Sequence, residues 1–171
     1  MRQQFLDSLI AASTRTAQLL ASTDSKLVFA ESCTSGLLAA TLSQLPGISQ
    51  HFCGSFVTYR ESMKSDALGV PPAIIKIHTA VSRQTTASML EGALQQSSEA
   101  TVALAITGHL GPNAPADLDG RVFIACQHKN GDAPTELHLK LESSQRTDRQ
   151  HEAATAAFVE LNSLLERMIR T

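Results

Sequence analysis

The chain has 171 residues, 43% hydrophobic and 18% charged, with 14 Lys and Arg against 16 Asp and Glu and a formal net charge of -2. That is enough chain to bury one core, and the balance supplies no general basic field for a nucleic-acid backbone or an anionic membrane. No run approaches the roughly 18–20 uninterrupted apolar residues of a membrane span. Asp7 interrupts the N-terminal stretch where a signal-peptide core would lie, so a cytoplasmic location is expected.

Along the chain, residues 3–21 carry Phe5, Leu6, Leu9, Ile10, Leu19 and Leu20 near helical spacing, and Thr23-Asp24-Ser25 breaks the pattern. Residues 26–30 (KLVFA) form a short apolar run that predicts a buried strand. Helical pattern returns over 36–45 and ends at Pro46-Gly47. A second strand is expected at 54–59, a short helix at 61–68 closed by Gly69, and another helical turn opened by Pro71. Ser82 is a good N-cap for a helix over 83–96, with Ala87, Leu90 and Leu94 on its apolar stripe. TVALAIT, residues 101–107, predicts a third buried strand.

A loop over 108–120 follows. Residues 121–128 and 135–142 then flank Lys129-Asn130-Gly131-Asp132, a hairpin signal because Asn-Gly tolerates the positive φ that tight hairpin turns need. A last amphipathic helix runs from about 147 to 169. With no repeat, linker or low-complexity block, residues 1–171 read as one domain. Alternating strands and helices followed by a hairpin predict an α/β fold: a three-layer α/β/α arrangement with a mixed sheet, a parallel core and an antiparallel hairpin at residues 121–142. Ligands of such sheets sit at the C-terminal ends of strands, which directs attention to residues 31–35, 59–64 and 107–120.

Glu31-Ser32-Cys33-Thr34-Ser35-Gly36 joins a strand to a helix. Small residues and a glycine permit a tight turn with N–H groups aimed outward at the helix start, an arrangement that favours an anion or a developing oxyanion. Ser32 or Thr34 could be a nucleophile there, and so could Cys33 if the helix N-terminus depressed its thiol pKa; an ordinary N-cap cluster is the bland reading. Tyr59 and Lys64 follow the second strand and can face one pocket. Lysine serves as a base only when neutral, which requires a pKa far below about 10.4, and burial moves it that way. Otherwise it is a solvated surface lysine. Thr107-Gly108-His109-Leu110-Gly111-Pro112 puts two glycines three apart after a buried strand, a pattern able to form a nest of N–H groups, but no P-loop signature accompanies it.

Asp117-Leu118-Asp119-Gly120 lacks the remaining ligands of a calcium loop and reads as a turn. The six histidines show no zinc-site spacing, although His128 and His138, on the two arms of the hairpin, could face each other. Cys33, Cys53 and Cys126 show no C-x-x-C spacing, which argues for reduced thiols rather than a disulfide framework or a metal site. Six Phe, no Trp and a single Tyr are too few rings for a single-strand stacking platform.

Taken together, Ala30-Glu31-Ser32-Cys33-Thr34-Ser35-Gly36, Gly54-Ser55-Phe56-Val57-Thr58-Tyr59, Lys64, Leu68-Gly69-Val70, His78-x-Ala80-Val81-Ser82 and Thr107-Gly108-x-x-Gly111-Pro112 occur in the order of a known family. The sequence resembles the CinA C-terminal domain family, whose members include nicotinamide-nucleotide amidases, and the similarity runs from about Leu19 to the last helix. The resemblance implies a stand-alone version of a domain that longer members fuse to a nucleotide-binding one. It implies hydrolysis of the carboxamide of nicotinamide mononucleotide to ammonia and nicotinic acid mononucleotide, with Ser32 as nucleophile, Lys64 as base and Tyr59 as a third catalytic residue, either Lys64 or Tyr59 supplying the proton for departing ammonia. Cys33, Thr34 and Gly36 then belong to the substrate-binding turn, Thr107 and Gly108 to the neighbouring strand end, and Arg146 to a phosphate contact. No metal or cofactor is implied, the partner is a small nucleotide rather than nucleic acid or membrane, and the assembly is a homodimer.

The sequence departs from the family pattern around these residues. Ser35 replaces a glycine, and Tyr59-Arg60-Glu61 replaces Tyr-Ser-Asn. Asn113-Ala114-Pro115-Ala116 replaces a glycine-rich run, Arg121 a threonine, and Ser144-Gln145-Arg146 a Gly-Asp-Arg. The competing expectation is therefore a diverged paralogue that binds a nucleotide or another amide without the family activity.

Overall fold

Two runs of apolar and small residues form the middle of one sheet. The structure, a computed structural model, describes residues 2–112, 114–131 and 133–170, except for the side chain of Arg2. Asn113 of the altered loop and Asp132 of the expected turn lie outside the described residues. In chain order the elements are α1 (Arg2–Ser22), β1 (Leu27–Glu31), α2 (Leu37–Leu42), β2 (Phe52–Val57), α3 (Glu61–Leu68), α4 (Pro72–His78), α5 (Arg83–Gln96), β3 (Val102–Gly108), β4 (Arg121–His128), β5 (Thr135–Lys140) and α6 (Arg146–Arg170), with a 3-10 turn at Ile48–Gln50.

The sheet order is β2-β1-β3-β4-β5. β2 and β3 run parallel to β1, whereas β4 is antiparallel to β3 and β5 to β4. β1 is buried along its whole length and β3 along all but its last residue. Strands covered on both faces have no polar side to alternate with, which is why both appear as continuous apolar runs. β5 alternates half-buried and exposed residues, as expected of a strand with one face in water. The mixed sheet, parallel core and hairpin are those anticipated from the sequence.

α1, α2 and α6 cover one face, enclosing Leu19, Leu20, Phe29, Leu38, Leu104, Ile124 and Phe158. α3, α4 and α5 cover the other, around Val28, Leu68, Met89, Leu90, Ala103 and Ala105. Within the first layer, Thr16 Oγ1 donates to Asn162 Oδ1 at 2.7 Å, and Asn162 Nδ2 donates to the Ala12 carbonyl at 3.1 Å. Buried polar groups gain only when satisfied, so this pair sets the register of α1 against α6.

Three local expectations need correction. The second strand begins and ends two residues earlier than 54–59, because Phe52 already pairs with Leu27 and β1 itself ends at Glu31, whose carbonyl accepts the last ladder bond from Thr58 N–H at 2.8 Å. The helix expected over 36–45 stops at Leu42, and Gly47, at φ 81°, starts the 3-10 turn instead. In the hairpin neither Asn130 nor Gly131 has positive φ, since the connection spans 129–134 rather than two residues. His138 consequently pairs with Phe123, not His128, and its ring stacks on the phenyl at 4.4 Å.

Candidate active site

β1, β2 and β3 are mutually aligned, so their C-terminal ends lie on one edge and the segments leaving them converge there. They form a pocket of about 300 Å³ whose walls include Ser32, Tyr59, Lys64, Gly108, His109 and Arg146. Ala80 and Val81, just before α5, complete one side, and residues 110–112, 114 and 115 the other. No Asp or Glu is present among the described lining residues.

Lys64 comes from the first turns of α3 and is fully buried. Its Nζ lies 3.0 Å from Ser32 Oγ and donates to the Thr58 carbonyl at 2.6 Å. Among the described residues no carboxylate pairs with it. Burial lowers its pKa from the ordinary 10.5, against a smaller opposing pull from Cys33 and Glu61, because desolvation disfavours the charged form. Ser32 is 7% exposed and opens on the pocket. A buried amine with a depressed pKa beside a reachable hydroxyl has the geometry that a base–nucleophile pair requires.

The turn that carries Ser32 is held by Glu31, a residue whose part in the site was not recognised from the sequence. Its fully buried carboxylate accepts the N–H groups of Gly36 (2.9 Å), Leu38 (3.1 Å) and Ala39 (3.1 Å), and the hydroxyl of Ser55 at 2.9 Å. The anion that the start of α2 attracts is thus the protein's own side chain. This corrects the expectation that Gly36 offers its amide to substrate: that N–H is committed to Glu31, and Gly36 does not line the pocket. Glycine is still required there, at φ 93°, because the αL region is costly for a residue with a side chain. The amides of Cys33 and Thr34 donate to no other described residue, and the Cys33 amide lies against its own sulfur.

The other candidates separate clearly. Cys33 lines the pocket, but burial pushes its thiol up to about 12, which disfavours the thiolate at neutral pH. A methyl group added to Gly108 would meet Cys33 Sγ at 3.0 Å and Val122 Cγ2 at 2.9 Å, so the strand end and the nucleophile turn pack directly on each other. Thr34 is fully buried and does not line the pocket, which removes its hydroxyl as an alternative nucleophile. Thr107 is buried too, sharing a 2.8 Å hydrogen bond with Thr86 Oγ1 at the start of α5. It supports the wall from behind.

Tyr59, 53% exposed, stands at the mouth, where Arg146 Nη2 donates to its hydroxyl at 2.9 Å. Arg146 also donates through Nη1 to the Gly111 carbonyl. One turn on, Arg149 makes a bidentate pair with Asp119 at 2.7 and 2.8 Å and donates through Nε to the Ser143 carbonyl at 2.6 Å. Asp119 therefore has a defined task within its turn, fastening residues 109–120 to α6. His109 faces the same pocket, its imidazole lowered in pKa by burial despite Asp117 and Asp119. No histidine motif marks it in the sequence. His, Cys, Asp and Glu form no metal-holding cluster among the described residues, and no described helix is long and apolar enough to cross a membrane.

Comparison with known proteins agrees with this architecture. The CinA C-terminal domain family matches residues 10–165. A CinA-like protein of Myxococcus xanthus (strain DK1622) is 46% identical over 101 residues, 58% of this chain and 24% of that protein. The chain spans 20–29% of the length of four such relatives. Among solved structures, a competence-damaged protein (CinA) superfamily protein from Klebsiella pneumoniae 700603 superposes with a TM-score of 0.86 at 26% identity, covering 93% of this chain and 98% of that one. The competence/damage inducible protein CihA from Agrobacterium tumefaciens gives 0.85 at 30% identity, covering 95% and 96%. With a family match across most of its length and the same three-layer fold, this chain belongs to the CinA C-terminal domain family.

Proposed function

We propose that the protein is an amidohydrolase that deamidates nicotinamide mononucleotide to nicotinic acid mononucleotide and ammonia. The observation that carries this reading is the buried Lys64 amine 3.0 Å from Ser32 Oγ, within the reach a general base needs. In its neutral form the amine keeps an N–H on the Thr58 carbonyl and turns its lone pair to the Ser32 hydroxyl. Ser32 Oγ bonds to the carboxamide carbon as its proton passes to Lys64, and the tetrahedral oxyanion is held by the amides of Cys33 and Thr34. Lys64 returns the proton to the departing nitrogen, the C–N bond breaks and ammonia leaves. Water, deprotonated by the same amine, then cleaves the acyl–Ser32 ester.

The lining supports an anionic substrate: it has no described carboxylate and carries the Arg146 guanidinium at the mouth, where a phosphate would find a bidentate donor. The test is ammonia release from nicotinamide mononucleotide by the parent protein, Ser32→Ala and Lys64→Met. Turnover by the parent and its loss in both variants is expected. A parent that neither releases ammonia nor shows a thermal shift with this nucleotide overturns the reading, and binding without ammonia release points to the diverged paralogue.

A further inference from the structure

Gln150 lies on the same face of α6 as Arg146 and one residue beyond Arg149, a face that touches all three segments of the site. Arg146 reaches Tyr59 and Gly111, Arg149 reaches Asp119, and Gln150 reaches the nucleophile turn. Its Nε2 donates to the Thr34 carbonyl at 2.9 Å and lies 3.5 Å from the Cys33 carbonyl. The Thr34 carbonyl also accepts Leu37 N–H at 3.1 Å, and the Ser32 carbonyl accepts Ser35 N–H at 3.1 Å. Three successive carbonyls after the strand are therefore occupied. A planar trans peptide points its N–H opposite to its carbonyl, so engaging the Ser32 and Cys33 carbonyls also sets the direction of the Cys33 and Thr34 amides. Those two amides donate to no other described residue.

We propose that Gln150 is a positioning residue: by donating from α6 to the nucleophile turn, it fixes Ser32 and the two adjacent amides in the geometry that stabilises a developing oxyanion. The inference rests on Ser32 as the nucleophile, but not on the identity of the substrate. What it requires at this position is a donor. Gln150→Glu keeps the shape and turns a carboxylate toward two carbonyls, whereas Gln150→Lys keeps an N–H donor.

A fluorophosphonate separates the inference from the substrate assignment. The Ser32 Oγ–P bond forms as the P–F bond breaks, fluoride leaves, the proton passes to Lys64, and intact mass reports the rate. Ammonia release from nicotinamide mononucleotide is measured alongside. We expect Gln150→Glu to slow labelling and kcat about 10- to 100-fold with KM nearly unchanged, as for a group displaced by a fraction of an ångström, while Gln150→Lys keeps most of the rate. Slowed labelling with this rescue, in a parent that does not deamidate the nucleotide, upholds the inference and rejects the substrate. Parental rates in Gln150→Glu, equal losses in both variants, or no labelling of Ser32 in the parent overturn it.

Discussion

Gly92 in α5 faces the carbonyl of Leu68 at the end of α3 so closely that a methyl group on Gly92 would lie 2.0 Å from that oxygen and 2.9 Å from Leu68 Cβ. On helix propensity alone, Gly92→Ala should stabilise α5 by up to about 1 kcal/mol. The contact reverses the sign, because backbone cannot step aside as a flexible side chain can, and overpacking of this kind costs about 1–3 kcal/mol. A net loss in a urea melt is expected. Since α3 also carries Lys64, the variant should lose activity more steeply than stability.

The position of Lys64 gives a prediction with a definite pH sign. Burial holds its pKa below 10.5, so between the folded and unfolded values the unfolded chain binds more protons. Below the folded pKa the cost of burying the ammonium is felt in full. It shrinks as pH rises through that value and is gone above the unfolded one. Lys64→Met should therefore melt at a higher temperature than the parent at pH 7, with the gap closing toward pH 10.5. Ammonia release by the parent should climb with pH through the folded pKa of Lys64 and fall about 10²- to 10⁴-fold in Lys64→Met, the usual worth of a general base. Unchanged stability and activity in the variant would show that the amine is solvated and idle.

The three thiols offer a simpler test of the nucleophile. Cys53 is exposed, whereas Cys33 and Cys126 are buried, and burial raises both buried thiols, Cys33 to about 12. Iodoacetamide at pH 8 should label Cys53 in the native protein and the other two only after denaturation, as thiolate and access both demand. Modification of Cys53 should leave ammonia release unchanged. Rapid native alkylation of Cys33 with loss of activity would return the thiol to candidacy.

The strands and long helices were legible because β1 and β3 are covered on both faces and the helices carry apolar stripes, so burial writes itself into the residue pattern. Ser32, Tyr59 and Lys64 were legible as a set through the order of the motifs around them. Glu31, Arg149 and Gln150 were not. An acidic residue before a small-residue turn looks solvated until the fold folds it back over the start of α2. Arg149 and Gln150 sit in a polar first turn of α6, and their partners lie 30 and 116 residues away in sequence. No local spacing encodes such contacts. The start of α2 is occupied by an anion, and that anion is Glu31.

Ser35 occupies a left-handed conformation, φ 55°, immediately before Gly36 at φ 93°. Its exposed side chain donates no hydrogen bond to a described residue to offset the strain, and such a conformation costs a residue with a Cβ about 1–2 kcal/mol. Glycine removes that cost but adds roughly 0.5–1 kcal/mol of unfolded-state entropy. Ser35→Gly should thus stabilise the protein by up to about 1 kcal/mol, visible as a higher urea midpoint at an unchanged m-value. A lower midpoint would mean that Ser35 is held by something other than its backbone.

Glu31 makes the strongest demand on its own chemistry. Its carboxylate accepts three amides and a hydroxyl while fully buried, and a glutamine can meet at most part of that set. Glu31→Gln replaces one acceptor oxygen with an NH₂ that must face a donor, either the N–H pair of Gly36 and Leu38 or the pair formed by Ala39 N–H and Ser55 Oγ. Losing charge-assisted bonds at about 1.5–3 kcal/mol each, with donors left unsatisfied, should lower stability by about 2–4 kcal/mol. The damage should also reach Ser32, because the same carboxylate closes the turn that carries it. Activity measured well below the melting temperature should therefore fall in kcat, and fluorophosphonate labelling of Ser32 should slow in parallel. A variant destabilised to this extent but labelled at the parental rate would separate the cap on α2 from the geometry of the nucleophile.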